Sequence, residues 1–177
     1  MQNNTQNKIY VLDASAIIGG FYSKKTMNFT TSDVTSEIKD LKSKIMLQSA
    51  IEDGYIEIKD PDPEGVGKLD KVLRESGDIL RLSDVDKNIV ALAVTLKNNG
   101  FSPTLVTDDY SMQNVLKIIG MPYRSVLTEG IKEVVGWVKI CKGCKKKYPP
   151  EYQFDECEIC GTRVIRKRVK KNQSVKY

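Results

Sequence analysis

The chain has 177 residues, with 28 Lys and Arg, 23 Asp and Glu and no histidine. That length suits one full core with a small appendage. The lack of histidine excludes Ser-His-Asp and Cys-His catalysis, His-ligated catalytic zinc and histidine general bases, so hydrolytic chemistry must rest on carboxylates, lysines, thiolates or bound metal. The net charge of +5 is unevenly spread. Residues 1–136 hold 16 Lys/Arg against 19 Asp/Glu, whereas residues 137–177 hold 12 against 4. An acidic body with a basic C-terminal module predicts chemistry in the first and polyanion binding in the second, with a solvated tail as the alternative. Gln2 to Gln6 is polar and uncharged, and the longest apolar run, Ile89 to Leu96, is far too short to span a bilayer. The expectation is a soluble, cytoplasmic protein with no membrane contact.

Residues 1–7 are expected to be disordered. Lys8 to Leu12 reads as a central parallel strand, because its apolar residues do not alternate with polar ones. It runs into Asp13 and a helix expected over Ala14 to Tyr22. Thr31 or Ser32 can cap a helix over residues 33–52, whose apolar stripe is Val34, Ile38, Leu41 and Ile45. Glu37 falls on that stripe, where a carboxylate must be paired or bind metal, unless it sits at the rim and reaches solvent. Tyr55 to Lys59 reads as a strand, residues 60–67 as a Pro- and Gly-rich loop, and Leu69 to Glu75 as a short helix.

Ser83 is a good N-cap for a helix running to Asn98. On it Asp86 shares a face with Ile89, Val90 and Ala93, while Asp84 points to solvent. Asp86 also fits the acidic partner of a Ser83 capping box, and a carboxylate in that role stays ionised. Thr104 to Thr107 is a buried strand ending in Asp108 and Asp109. Met112, Val115, Leu116 and Ile119 then recur at helical spacing up to Gly120. Pro122 to Val126 reads as an edge strand, and residues 127–136 as a connector in which Ile131, Val134 and Val135 make a helical turn. The alternation predicts an α/β fold with a doubly wound, mostly parallel sheet. Asp13 and Asp109 both end strands, at the edge where such sheets bind ligands, so one shared acidic site is expected.

Cys141-Lys-Gly-Cys144 and Cys157-Glu-Ile-Cys160 hold all four cysteines. Two such knuckles match a zinc ribbon with four cysteine ligands, against two disulfides or a redox dithiol as competing readings. Four thiolates leave no open position, so the Zn2+ would be structural. Lys139, Lys142, Lys145, Lys146, Lys147, Arg163, Arg166, Lys167 and Arg168 surround the knuckles, interleaved with Trp137, Tyr148, Tyr152 and Phe154. Basic and aromatic residues together suit RNA, although a ribbon can also bind protein.

Val11-Leu-Asp-Ala-Ser15, the helical Glu37, Leu82-Ser-Asp-Val-Asp86 with Ile89-Val-Ala-Leu-Ala93, and Thr107-Asp-Asp109 resemble the four acidic blocks of PIN-domain nucleases. Tyr110-Ser-Met-Gln-Asn114, the four-cysteine ribbon and the basic tail further resemble the "Nin one binding" endonuclease family in its compact archaeal form. The resemblance spans nearly the whole chain. It implies a PIN domain at 1–126, a connector at 127–137, a zinc ribbon at 138–165 and a basic tail at 166–177. It also implies Asp13, Glu37, Asp86 and Asp109 as the catalytic acids, with Asp86 preferred to Asp84 by helix phase, Asp109 selected by the family's Thr-x-Asp spacing and Asp108 as an assisting ligand. Oxygen ligands of this kind select Mg2+ or Mn2+. The implied activity is metal-dependent endonucleolytic cleavage of single-stranded precursor small-subunit rRNA at its 3′ end, leaving 3′-hydroxyl and 5′-phosphate ends. The implied partners are that RNA, the pre-ribosomal small subunit and other assembly factors. Two rivals stand beside this reading: a non-catalytic RNA-binding assembly factor and a PIN ribonuclease toxin.

Overall fold

An unbroken apolar run makes β1 (Lys8–Leu12) the centre of the fold, with Val11 and Leu12 fully buried. The structure, a computed structural model, describes residues 7–76, 82–128, 130, 135–149 and 151–170. β1 is joined by β2 (Asn28–Thr30), β3 (Ile56–Ile58), β4 (Ser102–Val106) and β5 (Tyr123–Arg124). Every pairing in this sheet is parallel and the order is β3-β2-β1-β4-β5. The chain therefore builds outward from β1 on one side, then crosses over and continues on the other. β1 and β4 flank the point where the direction of building reverses, and such a point opens a crevice beyond the strand ends. The predicted doubly wound sheet is present, and all its pairs are parallel.

Six helices accompany the sheet among the described residues: α1 (Ala14–Ile18), α2 (Ser32–Glu37), α3 (Leu41–Glu52), α4 (Pro63–Ser76), α5 (Asp84–Asn98) and α6 (Tyr110–Ile118). α5 buries Ile89, Val90, Ala91, Leu92, Ala93 and Leu96, and packs on α4, β1 and β4. At about 25 cal/mol per Å2 of apolar surface removed from water, such a helix is a main source of stability. α4 approaches α5 closely because residue 65 is glycine. A Cβ there would come within 2.3 Å of Thr95 Oγ1 and 2.9 Å of the Ala91 carbonyl oxygen.

Three expectations are corrected. α1 ends at Ile18 and not at Tyr22, since Gly19 caps it and Gly20 turns the chain with φ 74°. The helix expected over 33–52 is two helices. Ile38 leaves helical geometry with ψ 111°, and the Asp40 carboxylate caps α3 by accepting from the Ser43 N–H at 2.8 Å. The stripe fails beyond that break, and Leu41 and Ile45 are 72% and 61% exposed. The loop expected at 60–67 ends early. Pro63 begins α4, where a missing N–H costs nothing, and the Asp62 carboxylate accepts from the Gly65 N–H at 2.6 Å.

Residues 1–6, expected to be disordered, lie outside the described residues, as does most of the turn expected around Ile131 and Val134. Asn7 is described and its carbonyl oxygen accepts from the Ser102 N–H at 2.8 Å. A second sheet follows, antiparallel, in the order β7-β6-β8: β6 (Val135–Cys141), β7 (Lys147–Tyr148) and β8 (Val164–Lys170). β6 pairs with β8 from Val135↔Lys170 to Cys141↔Val164. This ladder starts inside the expected connector and runs to residue 170 of the expected tail. Among the described residues, no helix is long and apolar enough to cross a membrane.

Candidate active site and cysteine centre

The parallel register sets Leu12 beside Val106, so the next residues, Asp13 and Thr107, emerge together at the switch point. The Asp13 N–H donates to the Val106 carbonyl oxygen at 3.1 Å. Asp13 caps α1, accepting from the Ala14 N–H at 2.7 Å through Oδ1. Oδ2 accepts from the hydroxyls of Ser15 at 2.9 Å and Thr107 at 2.8 Å. The residue is only 8% exposed. Burial pushes its carboxyl above the usual aspartate range. The Thr107, Ser15 and Ala14 donors oppose that, while the Asp86 charge adds to it.

Asp109 follows through the same threonine. Its N–H donates to Thr107 Oγ1 at 3.1 Å, and its carboxylate caps α6 by accepting from the Met112 N–H at 2.8 Å. The side chain is exposed at the strand edge. One fully buried hydroxyl, Thr107 Oγ1, thus links the two strand-end acids.

Asp86 is half-buried in the first turn of α5 and makes a full capping box. Its Oδ2 accepts from the Ser83 N–H at 3.0 Å and the Ser83 hydroxyl at 2.8 Å, and the Asp86 N–H donates to Ser83 Oγ at 3.1 Å. The Asp86 charge reaches Asp13. Asp84 faces water, 93% exposed, in an ion pair with Lys87 at 2.9 Å. Both capping and proximity to Asp13 therefore belong to Asp86.

The carboxylates of the other two acids share no hydrogen-bond partner with Asp13, Asp86 or Asp109 among the described residues. Glu37 is the last residue of α2 and is exposed, so the expected core-facing position on a long helix does not exist. It makes no hydrogen bond or ion pair with the described residues. Asp33, four residues earlier and on the same helix face, is half-buried and accepts from Asn88 of α5 at 2.7 Å. Neither Asp33 nor Asn88 belongs to a motif in the sequence, and the four-residue spacing from Glu37 is the one signal that marks Asp33. Asp108 is engaged by a loop. Its carboxylate accepts from the N–H groups of Val126, Leu127 and Thr128 and from the Thr128 hydroxyl. Burial would raise its carboxyl, but these donors outweigh burial and hold it below the usual range. The residue expected as an assisting ligand clamps a loop.

Among the described residues, the metal-ligating groups whose donor atoms all lie within 4.8 Å of one another are Cys141, Cys144, Cys157 and Cys160. Cys141 Sγ lies 3.4 Å from Cys160 Sγ, and Cys144 Sγ lies 3.5 Å from Cys157 Sγ. Four thiolates ~2.3 Å from a tetrahedral zinc would stand ~3.8 Å apart, so the set fits that ion with small adjustment. The sulfurs are unbonded, which removes the disulfide reading. Close approach brings glycine in: a Cβ at residue 143 would meet Thr162 Oγ1 at 2.8 Å, and Gly143 N–H donates to Cys141 Sγ at 3.3 Å. The Tyr148 hydroxyl donates to Cys157 Sγ at 3.0 Å and holds that thiol below its ordinary range. Thr162 draws Cys160 down to about 5. Cys144 is drawn down by the Lys146 N–H but, beside the Cys157 sulfur and partly desolvated, ends pushed up to about 11. So many sulfurs at this spacing cannot all ionise without a cation.

The basic residues divide. Lys142, Lys147, Arg163, Lys167 and Arg168 are exposed. Lys139 donates to the Tyr152 carbonyl oxygen, Lys145 donates to the Lys142 carbonyl oxygen at 2.6 Å, and Lys146 pairs with Glu158. The Arg166 guanidinium stacks 4.5 Å from the Trp137 ring centre. Tyr148, Tyr152 and Phe154 form a ladder with ring centres 4.1 and 5.5 Å apart, and Phe154 at its end is 70% exposed.

Residues 10–96 match a family model described as the PIN domain of ribonuclease. A Methanothermobacter thermautotrophicus protein named Endoribonuclease Nob1 is 46% identical over 158 residues, covering 89% of this chain and 92% of that protein. A protein of the same name from Methanocaldococcus jannaschii is 39% identical over 165 residues, covering 92% of this chain and 79% of its own length. A Thermoplasma acidophilum protein named Ribonuclease VapC1 is 31% identical over 174 residues, covering 95% of this chain and 82% of that protein. With a parallel sheet that brings strand-end acids together, a four-cysteine cluster and these relatives along almost its full length, the chain belongs to the PIN-domain endoribonuclease family of Nob1.

Proposed function

We propose that the chain cuts single-stranded precursor small-subunit rRNA at its 3′ end, using a divalent cation held by Asp13, Asp86, Asp109 and Glu37. The observation that carries this reading is the state of Asp13. A buried carboxylate, raised by desolvation and by a second acid, gains most from a cation beside it. Oxygen donors favour Mg2+ or Mn2+ over softer ions. When bound, the ion supplies Lewis acidity to water and to the scissile phosphate. The chain's own residues prepare that chemistry. Thr107 and Ser15 orient Asp13, Met112 N–H orients Asp109, and Ser83 orients Asp86. None of these groups has to move a proton, which accords with a site built without histidine.

Zn2+ on the four cysteines would hold the second sheet together without taking part in cleavage. The exposed Lys142, Lys147, Arg163, Lys167 and Arg168 would contact phosphates, with Arg166 and Trp137 adding a stacked pair. The partners in this reading are the precursor rRNA, the pre-ribosomal small subunit and its other assembly factors. A reducing compartment such as the cytoplasm keeps the thiolates available.

The test is incubation of an RNA spanning the 3′ end of the small-subunit rRNA with Mn2+ or with EDTA, in parallel with Asp13→Asn. Cleavage that needs Mn2+ and disappears in the variant supports the reading. Tight binding with no cleavage in any condition would favour the non-catalytic assembly factor.

A further inference from the structure

The first residues of the connector are fastened to the acid site, and the fastening is Asp108. Its Oδ1 accepts four donors: the N–H groups of Val126 at 3.1 Å, Leu127 at 3.2 Å and Thr128 at 3.0 Å, and the Thr128 hydroxyl at 2.9 Å. Oδ2 accepts from Leu127 N–H at 3.1 Å. Successive backbone N–H groups around one carboxylate form an anion nest. A second tie lies beside it. Fully buried Gln113 donates through Nε2 to the Thr107 carbonyl oxygen and to Ser125 Oγ, both at 2.9 Å. Gly130 has φ 73°, and a Cβ there would sit 3.0 Å from Ser125 Oγ and 3.3 Å from Gln113 Oε1.

These ties converge on residues 107–113, the strand-to-helix junction that carries Asp109. The Asp108 N–H also donates to Ser15 Oγ at 3.1 Å, and Ser15 donates to Asp13. Clamp and strand-end acids are thus one bonded network. The clamped loop gains little from packing of its own, since Leu127 is 74% exposed and Thr128 is exposed. Hydrogen bonds to a charged acceptor are what hold it.

We propose that Asp108 is a positioning residue for RNA cleavage. It sets the direction in which the chain leaves the acid site toward the cysteine module, so that RNA gripped by the module meets Asp13 and Asp109 in one register. This rests on the reading of the protein as a nuclease whose module holds the RNA. Geometry also separates the clamp from a ligand role. Asparagine keeps the oxygen that takes four of the five contacts but loses the charge a cation needs. Alanine loses both.

The experiment compares the full-length protein with Asp108→Asn, Asp108→Ala and Thr128→Val, which removes one donor only. Each is given Mn2+ and either the rRNA 3′-end fragment or a short unstructured oligoribonucleotide, with helical circular dichroism to check the fold. On the fragment, Asp108→Ala should lower kcat at least about tenfold with KM little changed, and its cuts should spread to neighbouring positions, because a small misplacement of a substrate costs up to ~100-fold. On the short RNA it should stay within about twofold of wild type. Asp108→Asn should cut the short RNA as wild type does and spread the fragment's cuts less than alanine, and Thr128→Val should shift the fragment's cut positions in the same sense as alanine. Loss of cleavage on both RNAs in Asp108→Asn would make Asp108 a metal ligand and overturn the proposal. So would single-position cutting by folded Asp108→Ala or, if that variant does not fold, by Thr128→Val. A wild type that cuts neither RNA refutes the nuclease reading itself, a result distinct from these.

Discussion

Replacing Thr107 with valine asks whether one hydroxyl holds the acid site together. The side chain is fully buried, and valine has nearly its shape. The change removes a donor to Asp13 at 2.8 Å and an acceptor for the Asp109 N–H at 3.1 Å. A hydrogen bond to a charged group is worth about 1.5–3 kcal/mol, and a buried group left without its partner costs about 1–3 kcal/mol. The two overlap, so about 3 kcal/mol is expected, or a fall in Tm of about 10 °C for a domain of this size. Helical circular dichroism is the suitable probe, because every described helix lies before residue 119. Losing a donor to the ionised form must raise the Asp13 pKa further, so the acid limb of the cleavage rate should move to higher pH. Thr107→Ser restores the hydroxyl at the expense of one methyl, about 1 kcal/mol, and should restore the pH profile. A valine variant as stable as wild type, with its acid limb unmoved, would refute the reasoning.

Asp13→Asn should abolish cleavage and leave RNA affinity near wild type, measured by fluorescence anisotropy. Because the folded pKa of Asp13 is raised, its contribution to stability is complete below the unfolded value of 3.8 and is lost as pH rises through the folded value. Without added divalent metal, the asparagine variant should therefore melt higher than wild type at pH 7 and gain nothing below that acid window. Asp84→Asn should change kcat by less than about twofold, as its exposed pair with Lys87 is worth at most ~0.5 kcal/mol, whereas Asp86→Asn should abolish cleavage; the reverse order would show that the wrong acid was chosen. Tyr148→Phe removes the hydroxyl on Cys157 and should weaken zinc about 10- to 100-fold in a chelator competition. Unchanged zinc affinity would mean that the tyrosine serves packing alone.

The parts of the site nearest the sheet are legible in the sequence because local signals agree there. β1 and β4 are short β-rich runs that lead into acids, and Asp13 and Asp109 each cap the helix that follows. Ser83 and Asp86 spell a capping box, and the structure has one. The break between α2 and α3 escapes such reading because Leu41 and Ile45 continue the helical spacing of Val34 and Ile38 by coincidence. The usable signal was Asp40 with Ser43 three residues on, a cap inside an apparent helix. Pro63 and Gly65 look like a loop, yet one starts α4 and the other lets it lie against Thr95. Residues 166–170 look like a charged tail because arginines and lysines dominate, whereas the backbone pairs with β6. The Asp108 clamp could not be read at all. Its partners lie about twenty residues away and all but the Thr128 hydroxyl are backbone N–H groups, which carry no residue-type signature.

The placement of β1 beside β4 bears on when the enzyme becomes active during its own synthesis. The Thr107 hydroxyl that orients Asp13 comes 94 residues later in the chain. Parallel strands cannot pair through a tight hairpin, and the intervening segments must fold or collapse before the ends meet. Chains are made from the N-terminus at roughly 5–20 residues per second, so Asp13 waits several seconds for its partner to leave the ribosome. Until then the acids proposed to hold a cation are separated. A nuclease born next to ribosomal RNA is thereby silent until β4 has joined the sheet, with no inhibitor required.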